Sequence, residues 1–391
     1  MGPHGHGADP TQMRRARLLY VVTSDISLDV LLHGQLAHMR DLGWQVAAIA
    51  DDGGRLSQVA EREGVAIQGL SMAREISPVR DLGSLTRLLR RLRALRPDVV
   101  NYGTPKASLL TSIAAWTLRV PRRVYVIRGL RYEGTTGRRR AVLLQAERIA
   151  SGLATDVVAV SESVARAYRR DVRPRRPIVV IGRGSSNGVR PRDVPNAAEM
   201  ADIRARYIGA GQTMVLFVGR HHPDKGFDDL VAALARPELD SSVLVSVGPV
   251  EGELPASAQV LAEGQRWHHV PWSDDAQLFM AAADLLVLPT RREGFSNVLV
   301  ESQLMGTPVV AYDVTGTGDA VRAGATGLLT PQGDVLALAT AIRSLVDDPS
   351  LRHQMGAAGR EWVMAEFSPR RVWSGLDRVY RGEPLEDGSV W

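Results

Sequence analysis

The chain has 391 residues, too many for one ordinary hydrophobic core and enough for two domains of just under about 200 residues each. It contains no cysteine, which excludes disulfides, thiolate metal sites and cysteine nucleophiles and suits a reducing interior. The formal net charge is only +5, but residues 1–190 hold 31 Lys/Arg against 16 Asp/Glu and residues 191–391 hold 17 against 27, so a basic half (+15) precedes an acidic one (−10).

A basic half suits nucleic acid, an anionic membrane face or a phosphate-bearing substrate. Arginine dominates, with Lys106 and Lys225 the only lysines, a bias that a GC-rich genome would also produce. No apolar run reaches the roughly 18 residues of a membrane-spanning helix. Met1 to Gly7 is rich in Gly, His and Pro without an apolar h-region, so it reads as a disordered tail and not a secretory signal. His4 and His6 are weak metal candidates there. The expected location is the cytoplasm, with the inner face of the cell membrane as a surface the basic half would meet.

In chain order, Ala16–Val22 is a buried-strand pattern running into a polar loop, Thr23–Ser27. One helix is expected over Asp29–Leu42, carrying His33 and His38 as structural residues and stopped by Gly43. The strand Trp44–Ala50 follows, then a helix around Leu82–Leu95 whose Arg87, Arg90, Arg91 and Arg93 form a solvated face. Strand 98–102, helix 107–118, strand 123–127 and strand 156–160 come next, the last leading to a helix capped by Ser161. Arg173–Asn196 is rich in Pro, Gly, Ser and Arg and reads as the interdomain linker. A second series covers strand 214–219, helix 227–235, strands 243–248 and 268–270, helix 275–282, strand 284–289, helix 296–305, strand 308–312, and helices within 334–346 and 351–366. Strands alternating with helices of this length predict an α/β fold of two doubly wound parallel sheets. The expected domains are 14–190 and 191–369, with a last helix at 370–385 packing back on the first. Two such domains facing across a cleft would hold a ligand at the carboxyl ends of their strands.

Three loops of the second half carry chemistry. In the first, strand 214–219 ends at Gly219 and a short Pro/Gly loop places Arg220 and Lys225, two cations suited to a diphosphate. In the second, a polar turn leads from Pro289 to Glu293; Gly294 permits close backbone approach, and a helix start near Phe295, Ser296 and Asn297 offers free amides for an anion. Glu301 lies within that helix, and the two carboxylates would bracket a ligand at the helix start and accept its hydroxyls. Spacing alone favours the plainer reading, a helix-start acid at Glu293 and a solvated helix glutamate at Glu301. The third loop, Val314–Ala320, brings Thr315 and Gly316 with glycines that let amides approach phosphate oxygens, or is an ordinary turn. No G-x-x-x-x-G-K-[ST] occurs, and no G-x-G-x-x-G follows the first strand, which disfavours a P-loop protein and a dinucleotide-binding dehydrogenase. The basic residues lack the aromatic interleaving of a nucleic-acid stacking platform, so no nucleic acid is expected.

Together these loops resemble the retaining glycosyltransferases of family 4, with the GT-B fold. The resemblance rests on Arg220 and Lys225 in V-G-R-x-x-x-x-K-G, the E-G-F-x-N-x-x-x-E block at 293–301, and Gly306-Thr-Pro-Val-Val310. Thr104–Ala107, Arg128–Gly137, Val160-Ser161 and Ser186–Gly188 are similar to bacterial enzymes that build capsular, exopolysaccharide or lipid-linked glycans.

The resemblance implies that Arg220 and Lys225 bind the donor diphosphate and that Glu293 contacts hydroxyls of a hexose. Glu301 would hold the ribose, the amides near 295–297 would cap the phosphates, and Val270 and Trp272 would fall at the base-binding loop. There the indole is a core residue or stacks on the base. The donor would be a nucleotide-diphosphate sugar, with UDP favoured, and the acceptor a glycan or a polyprenyl-linked one. No cofactor and no metal are expected: no D-x-D occurs, and the two cations would take a metal's place. One departure matters. Where many members have a histidine after the strand at 123–127, this chain has Arg128, which cannot serve as a base. Arg128, Glu133 and Lys106 are the acceptor-side candidates, and Arg122, Arg123, Arg131 and Arg138–Arg140 would meet anionic headgroups or a lipid diphosphate. Alternative readings are a tailoring transferase acting on a soluble natural product, and a nucleotide-sugar epimerase or hydrolase on the same fold.

Overall fold

A computed structural model describes residues 15–72, 78–190 and 193–390; His4 and His6 lie outside them. The chain forms two compact units, residues up to 125 with 149–156, and residues 126–148 with 157 onward.

In the first unit, β1 (Arg17–Ser24) buries Leu18 to Val22 without a break, the near-continuous apolar run of a parallel strand covered on both faces. The helix expected over 29–42 is instead two short ones, α1 (Asp25–Leu31) and α2 (Gln35–Asp41). The break is at Gly34, whose φ of 76° is left-handed and cannot continue a helix. His33 falls in the turn and His38 on α2. β2 (Gln45–Asp51), α3 (Leu56–Glu63), β3 (Ala66–Gly69), α4 (Pro78–Leu95), β4 (Val99–Tyr102), α5 (Pro105–Thr117) and β5 (Arg122–Ile127) complete the series. Parallel pairing runs β5-β4-β1-β2-β3, the reversal at β1 that defines a doubly wound sheet. On α4, Ser84, Leu88 and Leu92 are buried, while Arg87, Arg90, Arg91 and Arg93 are exposed, a solvated face. Arg122 pairs with Asp156 at 3.1 Å, and Arg123 spends its guanidinium on the Val120 and Leu153 carbonyls.

After β5 the chain passes through a 3-10 turn at Arg131–Gly134, α6 (Gly137–Leu153), β6 (Asp156–Ala159), α7 (Glu162–Asp171) and β7 (Ile178–Ile181). β7 lies inside the stretch read as linker: its Pro/Gly/Arg flanks mask a four-residue apolar strand. Then come α8 (Ala197–Tyr207), β8 (Thr213–Val218), α9 (Phe227–Leu234), β9 (Ser242–Val247), α10 (Ala256–Glu263), β10 (Trp267–Val270), α11 (Ala276–Ala282), β11 (Leu285–Leu288), α12 (Asn297–Leu304), β12 (Val309–Tyr312), β13 (Gly327–Thr330), α13 (Val335–Asp347), α14 (Pro349–Glu366), α15 (Pro369–Arg381) and β14 (Gly388–Val390). The second unit's six-stranded sheet has the order β10-β9-β8-β11-β12-β13, and every pair is parallel. Its central strands are buried but for Val218 at the end of β8, and truncating a core ring such as Phe217 to Ala would cost about 3–5 kcal/mol.

The same unit holds a second ladder, β6–β7 parallel and β7–β14 antiparallel. α15 lies on β7, so closely that a Cβ on Gly375 would overlap the Ile181 side chain. The corner before it is fixed by the Trp373 indole N–H, which donates to Asn187 Oδ1 at 2.7 Å. Gly188, at φ 71°, turns the chain where a Cβ would strike Pro369.

Candidate active site

The site is built at the carboxyl ends of β8, β11 and β12, where three loops bond to one another. Beyond β8, Gly219 and Arg220 lead to a 3-10 turn, Pro223–Lys225, closed by Gly226 at φ 68°. A Cβ at Gly226 would overlap the Pro289 carbonyl, so this loop seats directly on the next. The Arg291 amide and the Thr290 hydroxyl both donate to the Asp224 carbonyl, at 2.9 and 3.2 Å.

The charged groups of this loop are paired. Arg220 donates to Glu251 at 2.5 Å and to Asp224 at 3.3 Å, and its side chain is 43% exposed. Asp224 also takes His222 at 2.6 Å and Arg292 at 3.5 Å. Burial works against its charge, but the His222 hydrogen bond and the Arg220 charge outweigh that and hold the carboxyl below its ordinary range. Lys225 Nζ donates to Glu293 Oε1 at 2.6 Å, with side chains only 22% and 16% exposed. His221, buried among Phe217, Phe227, Trp267 and His269, is pushed down to about 4 by desolvation and stays neutral near pH 7.

The second loop and the third lie backbone to backbone. The Glu293 amide donates to the Thr315 carbonyl at 3.1 Å and the Ser296 amide to the Gly316 carbonyl at 3.4 Å. A Cβ on Gly316 would come within 2.7 Å of the Gly294 carbonyl oxygen, and one on Gly294 would overlap the Arg128 carbonyl. Both glycines are therefore demanded by contact. The Ser296 amide, expected to face a phosphate, is turned onto Gly316 instead. Phe295 packs on Phe367 with ring centroids 5.4 Å apart, and Asn297 Oδ1 accepts from the Ser185 hydroxyl at 3.5 Å.

Glu301 sits in the middle of α12. Its carboxyl has no hydrogen-bond or ion-pair partner among the described residues, and burial pushes it up to about 7. The residue is half-buried, so it is neither a fully solvated helix glutamate nor sealed from water. Val270 ends β10. Trp272 is not a core residue: it is 62% exposed, with its indole N–H donated to Asp274 at 3.0 Å.

Two family descriptions match the chain: glycosyl transferases group 1 over residues 201–362, and a glycosyl transferase 4-like domain over 30–184. The capsular polysaccharide biosynthesis glycosyltransferase CapM of Staphylococcus aureus is 31% identical over 375 residues, 94% of this chain and 97% of that protein. This chain is a family 4 glycosyltransferase. Among solved structures, Anabaena HepE in complex with UDP and glucose superposes with a TM-score of 0.78 at 19% identity, covering 94% of this chain and 100% of that one. Sucrose-phosphate synthase from Thermosynechococcus elongatus gives 0.75 at 21%, over 94% and 99%. These two likenesses carry the fold, which is GT-B.

The transferase also brings first-half segments onto these loops. Ser161, the N-cap of α7, donates its hydroxyl to the Gly294 carbonyl at 2.8 Å. The Gly316 amide donates to Ser163 Oγ at 2.8 Å, and that hydroxyl donates to the Asp319 carboxylate. Thr315 Oγ1 donates to Glu133 Oε1 at 3.0 Å. Burial pushes the Glu133 carboxyl up, against the Thr315 hydrogen bond and the charges of Arg170 and Arg292. Arg128 is half-buried beside Gly294. Lys106 lies in the first unit, where its ammonium pairs with Asp81 at 2.6 Å. Arg131, Arg138 and Arg139 are exposed, whereas Arg140 pairs with Asp171 at 3.3 Å and lies over the Tyr132 ring.

A cleft of about 630 Å³ opens beside Thr315 and Asp319, lined also by Arg166, Arg170, Arg183 and Arg322. Among the described residues, no three His, Asp or Glu side chains gather as a metal site, and no helix is long and apolar enough to cross a membrane. Glu251, Arg292, Ser163 and Asp319 were not singled out in the sequence. Ser163 was within reach of the Ser161 cap signal, and Arg292 and Asp319 lie inside loops read for other residues; nothing local marks Glu251.

Proposed function

We propose that this glycosyltransferase moves a hexose-type sugar, with retention, from a UDP-sugar to a hydroxyl of a glycan or lipid-linked acceptor. The observation that carries the reading is the arrangement around α12: a Lys225–Glu293 pair at its approach and the unpartnered Glu301 carboxyl within it. CapM is named for capsular polysaccharide biosynthesis, and HepE is described with UDP-glucose, which favours a UDP donor and a polysaccharide-type acceptor.

In this reading residues 191–369 form the donor domain. Lys225 and Arg220 neutralise the diphosphate, with Gly219 and the Thr315–Gly316 backbone close to it. Glu293 accepts hydroxyls of the sugar while its partner Lys225 faces the phosphate. Glu301 accepts the ribose hydroxyls, and Val270 lies by the base. The C1–O bond to the diphosphate breaks as the acceptor oxygen forms its bond to C1 on the same face. The departing phosphate oxygen takes the acceptor proton, and the fixed cations stabilise the developing charge. Covalent capture by Glu293 is the less favoured route, and no metal is required. Arg128 binds a phosphate on the acceptor side, and the exposed arginines meet an anionic membrane surface.

The test is a panel of UDP-, GDP-, ADP- and dTDP-sugars, read by thermal stabilisation. Product anomers are then assigned by proton NMR, with and without EDTA. Stabilisation by UDP-sugars, product with the donor's anomeric configuration and indifference to EDTA are expected. An inverted product or loss of transfer in EDTA overturns the corresponding part. Rapid release of free sugar or epimer without acceptor would favour a hydrolase or epimerase.

A further inference from the structure

We propose that Glu133 is a positioning residue for the sugar-holding glutamate, acting through Thr315, and not a group that touches the acceptor. The inference rests on the donor-site reading above. Glu133 lies on the 3-10 turn Arg131–Gly134, in the first half of the sequence, 182 positions from its partner. Its carboxylate accepts the Thr315 hydroxyl at 3.0 Å; the Thr315 carbonyl accepts the Glu293 amide at 3.1 Å; the Glu293 carboxylate accepts Lys225 at 2.6 Å. Each link joins the next through one residue, so the position of Glu133 is passed to the Glu293 backbone through one side-chain hydrogen bond and one backbone hydrogen bond.

The rest of the turn and loop leave this chain little slack. The next residue, Gly316, is held from the other side by Ser163, which is itself fixed by Asp319. A Cβ on Gly316 has no room against Gly294. Gly134, beside Glu133, abuts the Arg292 side chain: a Cβ there would lie 3.1 Å from its Nε. Arg292 in turn reaches Asp224, one residue from Lys225. The turn at 131–134 thus contacts Thr315, which holds the Glu293 amide, and Arg292, which reaches the neighbour of Lys225. With its Oε1 given to Thr315, Glu133 has a positional task in the loop that carries the donor's sugar. Placement errors of about 1 Å at such a group cost on the order of a hundredfold in rate.

The experiment compares affinities for UDP and UDP-glucose by calorimetry in wild type and in Glu133→Ala, Glu133→Gln, Thr315→Val and the Glu133→Ala/Thr315→Val double variant. Circular dichroism checks each fold. Glu293 is read to hold the sugar, so Glu133→Ala and Thr315→Val are each expected to weaken UDP-glucose about tenfold and to weaken UDP, whose diphosphate lies by the Thr315–Gly316 backbone, clearly less. Glu133→Gln, whose amide oxygen still accepts, restores UDP-glucose to within about threefold. The double variant is no worse than either single one, as expected for one shared interaction. Unchanged UDP-glucose affinity in folded Glu133→Ala and Thr315→Val protein overturns the proposal. So does an equal loss for UDP and UDP-glucose, which would mark a general collapse of the loop. Wild-type protein that binds neither ligand overturns the donor reading itself, and is recognised without any variant.

Discussion

Glu293 and Glu301 are eight residues apart and chemically identical, yet the loop and the helix give them different lives. Glu293 stands on a loop laced to two others and meets an ammonium at 2.6 Å. Glu301 stands on a regular helix, has no partner among the described residues and is raised to about 7 by burial. A carboxylate already charge-paired can present a fixed, ionised acceptor. A carboxyl left desolvated gains most when a ligand supplies the missing donors. The loop makes a charge-paired acid; the helix makes one without a partner among the described residues.

The largest effect should come from the paired side. Lys225→Ala and Glu293→Ala are each expected to lower kcat/KM by about 10²–10⁴-fold with the protein still folded, the range of losing a preorganised electrostatic contact. Steady-state transfer with circular dichroism as control decides it, and full activity in either variant would remove that residue from the site.

Glu301 should show itself in proton linkage. If ribose hydroxyls donate to the ionised form, donor binding expels a proton below pH 7. Nucleotide-sugar affinity then falls by up to about tenfold per pH unit between 7 and 5. Calorimetry with UDP-glucose across that range, repeated in Glu301→Gln, gives the comparison: the variant should bind more weakly at pH 8 and show a flat profile. An identical slope in both proteins would sink the assignment.

The smallest effect is on stability. The folded-state pKa of Glu301 is raised, so its contribution is fully present below the unfolded value near 4.5 and is lost as pH rises through about 7. Glu301→Gln should therefore melt a few degrees above wild type at pH 8 and no higher at pH 4.5. A melting difference independent of pH would contradict a burial-raised carboxyl.

Much of this architecture was legible because its signals are local. β1, β8 and β11 announce themselves as apolar runs, and the E-G-F-x-N-x-x-x-E block sits where a strand, a loop and a helix meet. β3 escaped because it is four residues long and only partly buried, and the break at Gly34 because apolar spacing continues across it. In the site, the residue types at 220, 225, 293 and 301 were readable, but their partners were not. Arg220 meets Glu251 and Thr315 meets Glu133 through tertiary approach alone, with no spacing to betray it. Of the two readings of Trp272, the core one fails: an indole next to a strand usually packs inward, whereas here Asp274 holds its N–H at the surface.

The short last strand, β14, has a consequence for handling the protein. β7 is a run of Ile-Val-Val-Ile whose outer edge is occupied antiparallel by Gly388–Val390. Without those few residues the edge would expose unpaired amides and carbonyls flanked by apolar side chains, the template on which copies of a chain add to one another. Three residues far along the chain from the three site loops thus act as a selvedge for the second ladder, and a shortened version would be expected to stick to itself before it lost its chemistry.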